Sequence, residues 1–383
     1  MPLPHQRLLD QLGQLIATPS VSSTDPHWDQ GNRPVVELLA AWAGDLGFST
    51  EILDVTADGR KANLLATLGS GPGGLVLAGH TDTVPFDEGR WNSDPLKLVE
   101  RDQRLYGLGS TDMKGFFPVA LAAAATFAGQ PLQQPLILLA TADEESSMNG
   151  ARALAAAGRP RARAAIIGEP TSLTPVRMHK GIMMHAVTVT GQAGHSSNPA
   201  LGNNALEAMH TVMSDLMNYR ASLRERYSNP LFEIAYPTLN LGCIHGGDNP
   251  NRICGSTELH FDLRMTPDGD NAEIQHEIER RLAAMSGQLG VEIALKPLVK
   301  PVPPFEQAAD SELVQLAERL TGHSAHAVAF ATEAPFLQQL GMETLVMGPG
   351  SIDRAHQPDE YMELEQIQPC IELLSKMIRH YCL

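Results

Sequence analysis

Apolar and polar positions follow two styles along this chain, and the style changes near residue 180. Before that point, continuous apolar runs are separated by stretches with helical spacing. Leu8, Leu9, Leu12, Leu15 and Ile16 recur at three- and four-residue intervals, which predicts a helix over 5 to 16, with a second over 35 to 46. Strands are predicted over 49 to 55 and 62 to 68, followed by Gly74 to Gly79 as a wholly apolar strand. Helices over 115 to 128 and 150 to 157 then alternate with strands over 135 to 141 and 164 to 168. Continuously apolar strands need cover on both faces, so this order predicts a layered α/β domain around a mostly parallel central sheet.

After Lys180 the strands alternate instead. Met183 to Thr190 and Arg252 to Arg264 read as half-exposed strands, as does Pro237 to Ile244. Leu206, Met209, Val212, Met213 and Leu216 predict a helix over 203 to 219, and a charged helix over 272 to 289 precedes a last strand over 291 to 298. The order β-α-β-β-α-β is ferredoxin-like. An inserted ferredoxin-like α+β domain is therefore expected at 182 to 297, with 1 to 181 and 298 to 383 forming the larger α/β domain. The Pro-rich "KPVPPF" at 300 to 305 marks the return, and the pattern closes with a helix over 309 to 321, a strand over 343 to 347 and a helix over 363 to 381.

Composition narrows the function. A chain of 383 residues with 43% hydrophobic and 19% charged residues can bury two cores. With 28 basic against 44 acidic residues the net charge is -16, which disfavours nucleic acid or an anionic membrane as partner. The first twenty residues lack a continuous apolar segment of the secretory kind, and the longest apolar stretch, Val119 to Ala128, is about half of what spans a bilayer. Cys243, Cys254, Cys370 and Cys382, without CxxC spacing, read as reduced thiols of a cytoplasmic protein.

One stretch is electrostatically odd. "LILLATADEESSMNG" drives an apolar strand into Asp143, Glu144 and Glu145. Like charges about 4 to 6 Å apart repel by roughly 1 kcal/mol in water and by several times that in a crevice. Such a cluster calls for a cation. "LVLAGHTDTVP" offers His80 and Asp82 on one strand face, "YGLGSTDMKG" offers Asp112, "IIGEP" offers Glu169 and "VMGPGSIDRAHQPDE" offers His356. Each lies at or just past the carboxyl end of an apolar run, where an open α/β sheet gathers its ligands. Two imidazoles and several carboxylates suit Zn²⁺, Co²⁺ or Mn²⁺, and the number of carboxylates suits two ions. Taken singly, a histidine after a strand is ordinarily a satisfied surface or core residue, an aspartate in "STD" a helix cap and a DEE run a solvated loop. Five such residues at five strand ends argue for a site.

Together "GHTDTVP", "LYGLGSTDMKG", "ATADEE", "IIGEPT", "GHSS" and "GPGSIDRAHQPDE" resemble the dizinc aminoacylase and carboxypeptidase family of metallohydrolases, from the first helix to the last. "LAGHTDTVPFDEGRW", "CIHGGDNPNRICGSTELHFDLR" and "ATEAPFLQQL" resemble its branch that deacylates N-acyl amino acids. The resemblance implies two divalent ions, with His80 and Glu169 on one, Glu145 and His356 on the other and Asp112 bridging them. Asp82 is implied to orient His80, and Glu144 to act as general base. Neighbouring strand residues point to opposite faces, so Glu144 and Glu145 are expected to divide the labour. Asp143 has no implied role and is expected to be solvated or bonded to its loop. His195 is implied to cross a homodimer and stabilise an oxyanion. Arg264 and Asn251 are implied to hold the substrate carboxylate, with Gly348 and Gly350 as candidate amide donors to it. Glu333 is a candidate for a side-chain ammonium by charge complementarity. A cis peptide after Asp112, a small N-acetyl amino acid as substrate, and a homodimer through the inserted domain complete the expectation. Sibling activities with the same metals, namely desuccinylase, general aminoacylase and dipeptidase, stay open. So does a catalytically silent metal-binding member, which the presence of Glu144 beside all five ligands disfavours.

Overall fold

In the computed structural model the wholly apolar runs become the middle of one sheet. Residues 4 to 87 and 89 to 383 are described, and Met1 to Leu3 and Glu88 lie outside the described residues. Leu75–His80, Leu136–Thr141 and Ala164–Pro170 are buried at every position. With Glu343–Gly348 they form four adjacent parallel strands, in the order Leu136–Thr141, Leu75–His80, Ala164–Pro170, Glu343–Gly348. Parallel pairing stops there. Ala62–Leu68 runs antiparallel to Leu136–Thr141, Ser49–Asp54 antiparallel to Ala62–Leu68, and Val176–His179 antiparallel to Glu343–Gly348. The turn between Asp54 and Ala62 is shorter than the dozen or so residues that a parallel crossover needs, so that pair can only be a hairpin. The sheet is mixed, with a parallel centre.

The chain divides into two compact units, one of Met1–Arg177, Gln307–His326 and Thr332–Leu383, the other of Met178–Glu306 and Ala327–Ala331. In the first unit, Leu77, Leu138, Ile166 and Leu345 share a core with Leu12, Leu39, Phe117, Leu313 and Leu374. These come from the helices Pro4–Ile16, Arg33–Asp45, Phe116–Ala125, Glu312–Thr321 and Ile367–Cys382. The alternate strand positions Val76, Ile137, Ile167 and Val346 point the other way and are buried as well. Both faces of the parallel centre are therefore covered, which leaves only its strand ends open to a ligand.

The second unit has the strand order Thr238–Gly246, Ser256–Met265, Gly181–Thr190, Glu292–Pro297, all antiparallel. Helices Ala205–Arg226 and Asn271–Leu289 pack on one face through Met209, Val212, Leu216, Ile274 and Ile278 against Val187, Leu259, Phe261 and Leu263. That is the ferredoxin-like order. The strand expected over 252 to 264 is broken in two: Arg252–Ile253 leaves the sheet to pair with Gly194–His195, and the main ladder begins at Ser256. No helix among the described residues is long and apolar enough to cross a membrane.

Candidate metal centre

The strand Leu75–His80 ends at a fully buried imidazole. His80 Nδ1 lies 3.0 Å from the main-chain carbonyl of Asp82, so this nitrogen carries the hydrogen and donates. Nε2 then aims a lone pair at Asp112 Oδ1, 3.0 Å away, and at Glu169 Oε1, 3.9 Å away. A lone pair facing two carboxylate oxygens is stable only with positive charge between them, a proton or a metal ion. The second half repeats the arrangement: His356 Nε2 is 3.2 Å from Asp112 Oδ2 and 3.1 Å from Glu145 Oε1. Asp112 thus faces two imidazoles with two different oxygens. Ligands on one ion at bonds of about 2.0 to 2.2 Å stand about 3.3 Å apart in a tetrahedron. The observed spacings, 3.0 to 3.9 Å, are of that size. Ligand atoms of His80, Asp112 and Glu145 all lie within 4.8 Å of one another, the one such group among the described residues.

The turn carrying the acidic run departs from expectation in three ways. The strand ends at Thr141, Asp143 adopts φ of +62°, and Glu144 and Glu145 follow in a turn. Strand alternation therefore does not separate their roles. Asp82 does, because its two carboxylate oxygens accept the N–H groups of Glu144 and Glu145 at 3.3 and 3.1 Å. The same carboxylate is 3.7 Å from His80 Nδ1, so Asp82 orients the ring chiefly through its carbonyl. Asp143 is not solvated. It is buried, accepts the Ser22 hydroxyl at 2.9 Å and pairs with the Lys61 ammonium, which also reaches Asp29 at 2.7 Å. Lys61 comes from a distant hairpin, and no local pattern announces it.

The Asp112 loop is equally constrained. Gly109 has φ of +80°, and a Cβ on Gly115 would lie 2.1 Å from the Ser110 carbonyl oxygen, so the loop can close on itself only with glycine there. The Asp112–Met113 peptide is cis. Below the loop, the buried carboxylate of Glu360 accepts the N–H groups of Gly109, Thr111 and Asp112. The acidic residue four positions past His356 in "HQPDE" was the available signal for it.

Electrostatics shows what the cluster lacks. Burial raises Glu144 and Glu169 well above the usual carboxylate range, and each carboxylate adds to the repulsion on its neighbours. Burial and the facing Asp112 raise Glu145 too. Asp112 alone is held below the usual range, because bonds from His356 and His80 outweigh its burial. Asp112 and Glu145 lift His356 to about 10. A crevice this rich in buried carboxylates, with ligand-spaced nitrogen and oxygen donors, fits divalent metal ions.

The remaining candidates separate. Glu333 belongs to the first unit, is buried, accepts the Thr141 hydroxyl at 2.8 Å and keeps its other oxygen without a partner; burial pushes it up to about 7. The N–H of Gly348 already donates to the Thr171 hydroxyl at 3.2 Å and that of Gly350 to Gln366 Oε1 at 2.7 Å, so these two amides are not free for a substrate. His195, Asn251 and Arg264 lie in the second unit. His195 Nδ1 accepts the Ser197 hydroxyl at 2.8 Å, Asn251 is exposed, and Arg264 Nε donates to both oxygens of Asp262 at 3.0 and 2.9 Å.

Comparison with known proteins points to the same class, a metal-dependent hydrolase. The chain belongs to the peptidase family M20/M25/M40, whose family model matches residues 76–380. It is 50% identical over 374 residues to the acetylornithine deacetylase of Pasteurella multocida, with 98% of each chain covered, and 50% identical over 368 residues to that of Klebsiella pneumoniae, with 96% of each covered. Among solved structures it resembles a tripeptidase of Staphylococcus aureus (TM-score 0.74, 20% identity, 98% of both chains) and an aminopeptidase of Bacillus cereus (TM-score 0.75, 19% identity, 97% of both). At those identities the likeness is one of fold.

Proposed function

We propose that this protein hydrolyses N2-acetyl-L-ornithine to ornithine and acetate, a step of arginine biosynthesis, in the cytoplasm, where its four unpaired cysteines stay reduced. The observation that carries the reading is Asp112, whose two oxygens face His80 and His356 separately. Half-identity over nearly the full length to proteins named for that reaction supports the choice of substrate. On this reading His80 and Glu169 would hold one ion and His356 and Glu145 the other, with Asp112 shared between them. Zn²⁺ suits the mixed nitrogen and oxygen donors best, with Co²⁺ or Mn²⁺ as substitutes. Bound there, such ions would supply an acidified water, its pKa brought from about 15.7 toward about 7, and would polarise the acyl carbonyl.

The chain's own groups do the rest. Glu144, made proton-hungry by burial, takes the proton from the attacking water and returns it to the amine nitrogen as the carbon–nitrogen bond breaks. Asp82 holds the Glu144–Glu145 turn by its main-chain amides, so base and ligand keep fixed places. The orphaned, buried oxygen of Glu333 supports a role opposite the ornithine ammonium. For Arg264, Asn251 and His195 the support is their residue type at positions matching the family: a fork for the substrate carboxylate and a donor for the oxyanion.

A second copy as partner is supported by the second unit's edge strand Thr238–Gly246, unpaired along one side, with Ile244 and Met217 exposed. Light scattering of the Ile244→Lys, Met217→Lys double variant should read one chain where the parent reads two. The substrate is tested by assaying the zinc-loaded protein on acetylornithine, succinyl-diaminopimelate and a dipeptide. Acetylornithine should be favoured by orders of magnitude in kcat/KM; preference for either alternative sinks the reading. Glu333→Gln should erase selectivity for acetylornithine over acetyl-leucine, and unchanged selectivity removes Glu333.

A further inference from the structure

Glu360 is a buried carboxylate that no step above uses. Its Oε1 accepts the N–H groups of Thr111 and Asp112 at 2.8 and 3.0 Å, and its Oε2 accepts that of Gly109 at 3.1 Å. Its main-chain carbonyl accepts the Gly107 N–H at 3.1 Å and the Ser110 hydroxyl at 3.4 Å. One residue thus receives five donors from a single six-residue loop, the loop that carries Asp112. The fastening continues on both sides. Tyr361–Glu363 pairs antiparallel with Arg104–Tyr106, and Asp359 accepts the Asn92 N–H at 2.8 Å. Between them His356 and Asp359 sit at φ of +58° and +59°, a region that non-glycine residues rarely occupy, so the His356 turn keeps its shape through what it is fastened to.

We propose that Glu360 is the positioning residue of the metal centre: it fixes the Asp112 loop through three main-chain amides and, carried on the same turn as His356, it sets the grip on both ions together. The inference rests on the reading that Asp112 bridges two ions. It differs from an ordinary buried contact in its consequence. Loss of a terminal ligand such as His356 weakens one ion, whereas loss of Glu360 shifts the shared ligand and weakens both.

The test is a zinc titration of apo-protein against a chromogenic chelator, with stoichiometry by mass spectrometry, for the parent and for Glu360→Gln, Glu360→Ala and His356→Ala. In Glu360→Gln the amide keeps one acceptor oxygen but sets an NH₂ against the Gly109 N–H. Affinity should fall roughly 10-fold there and toward 100-fold in Glu360→Ala, the range for residues that orient metal ligands, and in parallel at both ions. His356→Ala should spare one ion. A folded Glu360→Gln that binds both ions like the parent, or loses only one, overturns the proposal. So does one that lowers the melting temperature of the apo-protein and leaves zinc affinity intact, since that is a folding role alone. Should neither Glu360 variant fold, hydrogen exchange on the parent decides: the Thr111 and Asp112 amides should be protected already in the apo-protein, and protection that appears only with zinc overturns the proposal. A parent that binds fewer than two ions defeats the bridging reading itself, a distinct result.

Discussion

A carboxyl group buried among other carboxyl groups holds its proton more tightly than one in water, and Glu144 is in that position. Replacing it by glutamine should leave two ions per chain by mass spectrometry while kcat falls roughly 10²- to 10⁴-fold, the usual worth of a positioned acid–base group. Turnover near the parent rate would take that role from Glu144. Lys61 carries a different load. Burial works against its charge, yet Asp143 and Asp29 together raise its pKa, so the ammonium is kept by its partners. Lys61→Met strands two carboxylates and should cost about 3 to 5 kcal/mol in urea unfolding, and adding Asp143→Leu should recover part of that loss. If the double variant is no more stable than the single one, the pair is not what holds the turn. His80 and Glu169 were legible in the sequence because each stands at the end of an apolar strand, and Asp112, Glu145 and His356 because their motifs stand in loops and turns where a sheet of this kind gathers ligands. Lys61 and Glu360 were not, for a physical reason: their partners lie 82 and 248 positions away, and no local period records a contact at that range. The two glycine amides misled because a Gly-Pro-Gly turn looks free in sequence while its hydrogens go to Thr171 and Gln366.

Long elements were readable where burial imposes a period, as in Ser256–Met265, which alternates without exception, whereas the six-residue helix Ala334–Gln339 was not predicted. The three-residue strands Val99–Arg101, Arg104–Tyr106 and Tyr361–Glu363 were not predicted either, since three residues carry no period and the third joins the hairpin of the first two from near the far end of the chain. Strand direction could be read where a crossover helix intervenes or where, as between Asp54 and Ala62, the turn is too short for one, but not for strands whose sheet neighbours are distant in sequence. In the second unit's sheet, His185 is buried and stacks on Phe261 with ring centroids 5.6 Å apart. Burial lowers its pKa although Glu279 opposes the shift. The folded state therefore refuses a proton that the unfolded chain takes near pH 6.5, so its contribution is present above about pH 6.5 and is lost as the pH falls. The urea midpoint of this unit should drop between pH 7.5 and 5.5, and His185→Gln should flatten that drop. Equal slopes in parent and variant would acquit His185.

At the scale of the whole molecule, all five proposed ligands belong to the first unit. Ion removal should therefore act on one unit's stability and leave the other's alone. With free zinc a thousandfold above Kd, binding adds about 4 kcal/mol, so chelation should lower the first unit's calorimetric transition and spare the second unit's. A uniform fall in both would contradict the assignment. The double change of pattern indicated a two-part α/β chain and the composition an acidic one, while the resemblance of its motifs to a known family implied a hydrolase. What they could not indicate was how the C-terminal strand and turn are fastened to the Asp112 loop, because that depends on side chains meeting across the fold.

The pairing of Glu145 with His356 spans 211 positions. At roughly 5 to 20 residues per second, a ribosome that has just made Glu145 needs about 10 to 40 seconds more to reach His356. When Glu145 is made, His80 and Asp112 are already in the nascent chain and Glu169 soon follows, while His356 is still unwritten. On the ligand assignment proposed above, the set of His80, Asp112 and Glu169 would be written first, and the set that needs His356 would be complete only after the last strand of the sheet.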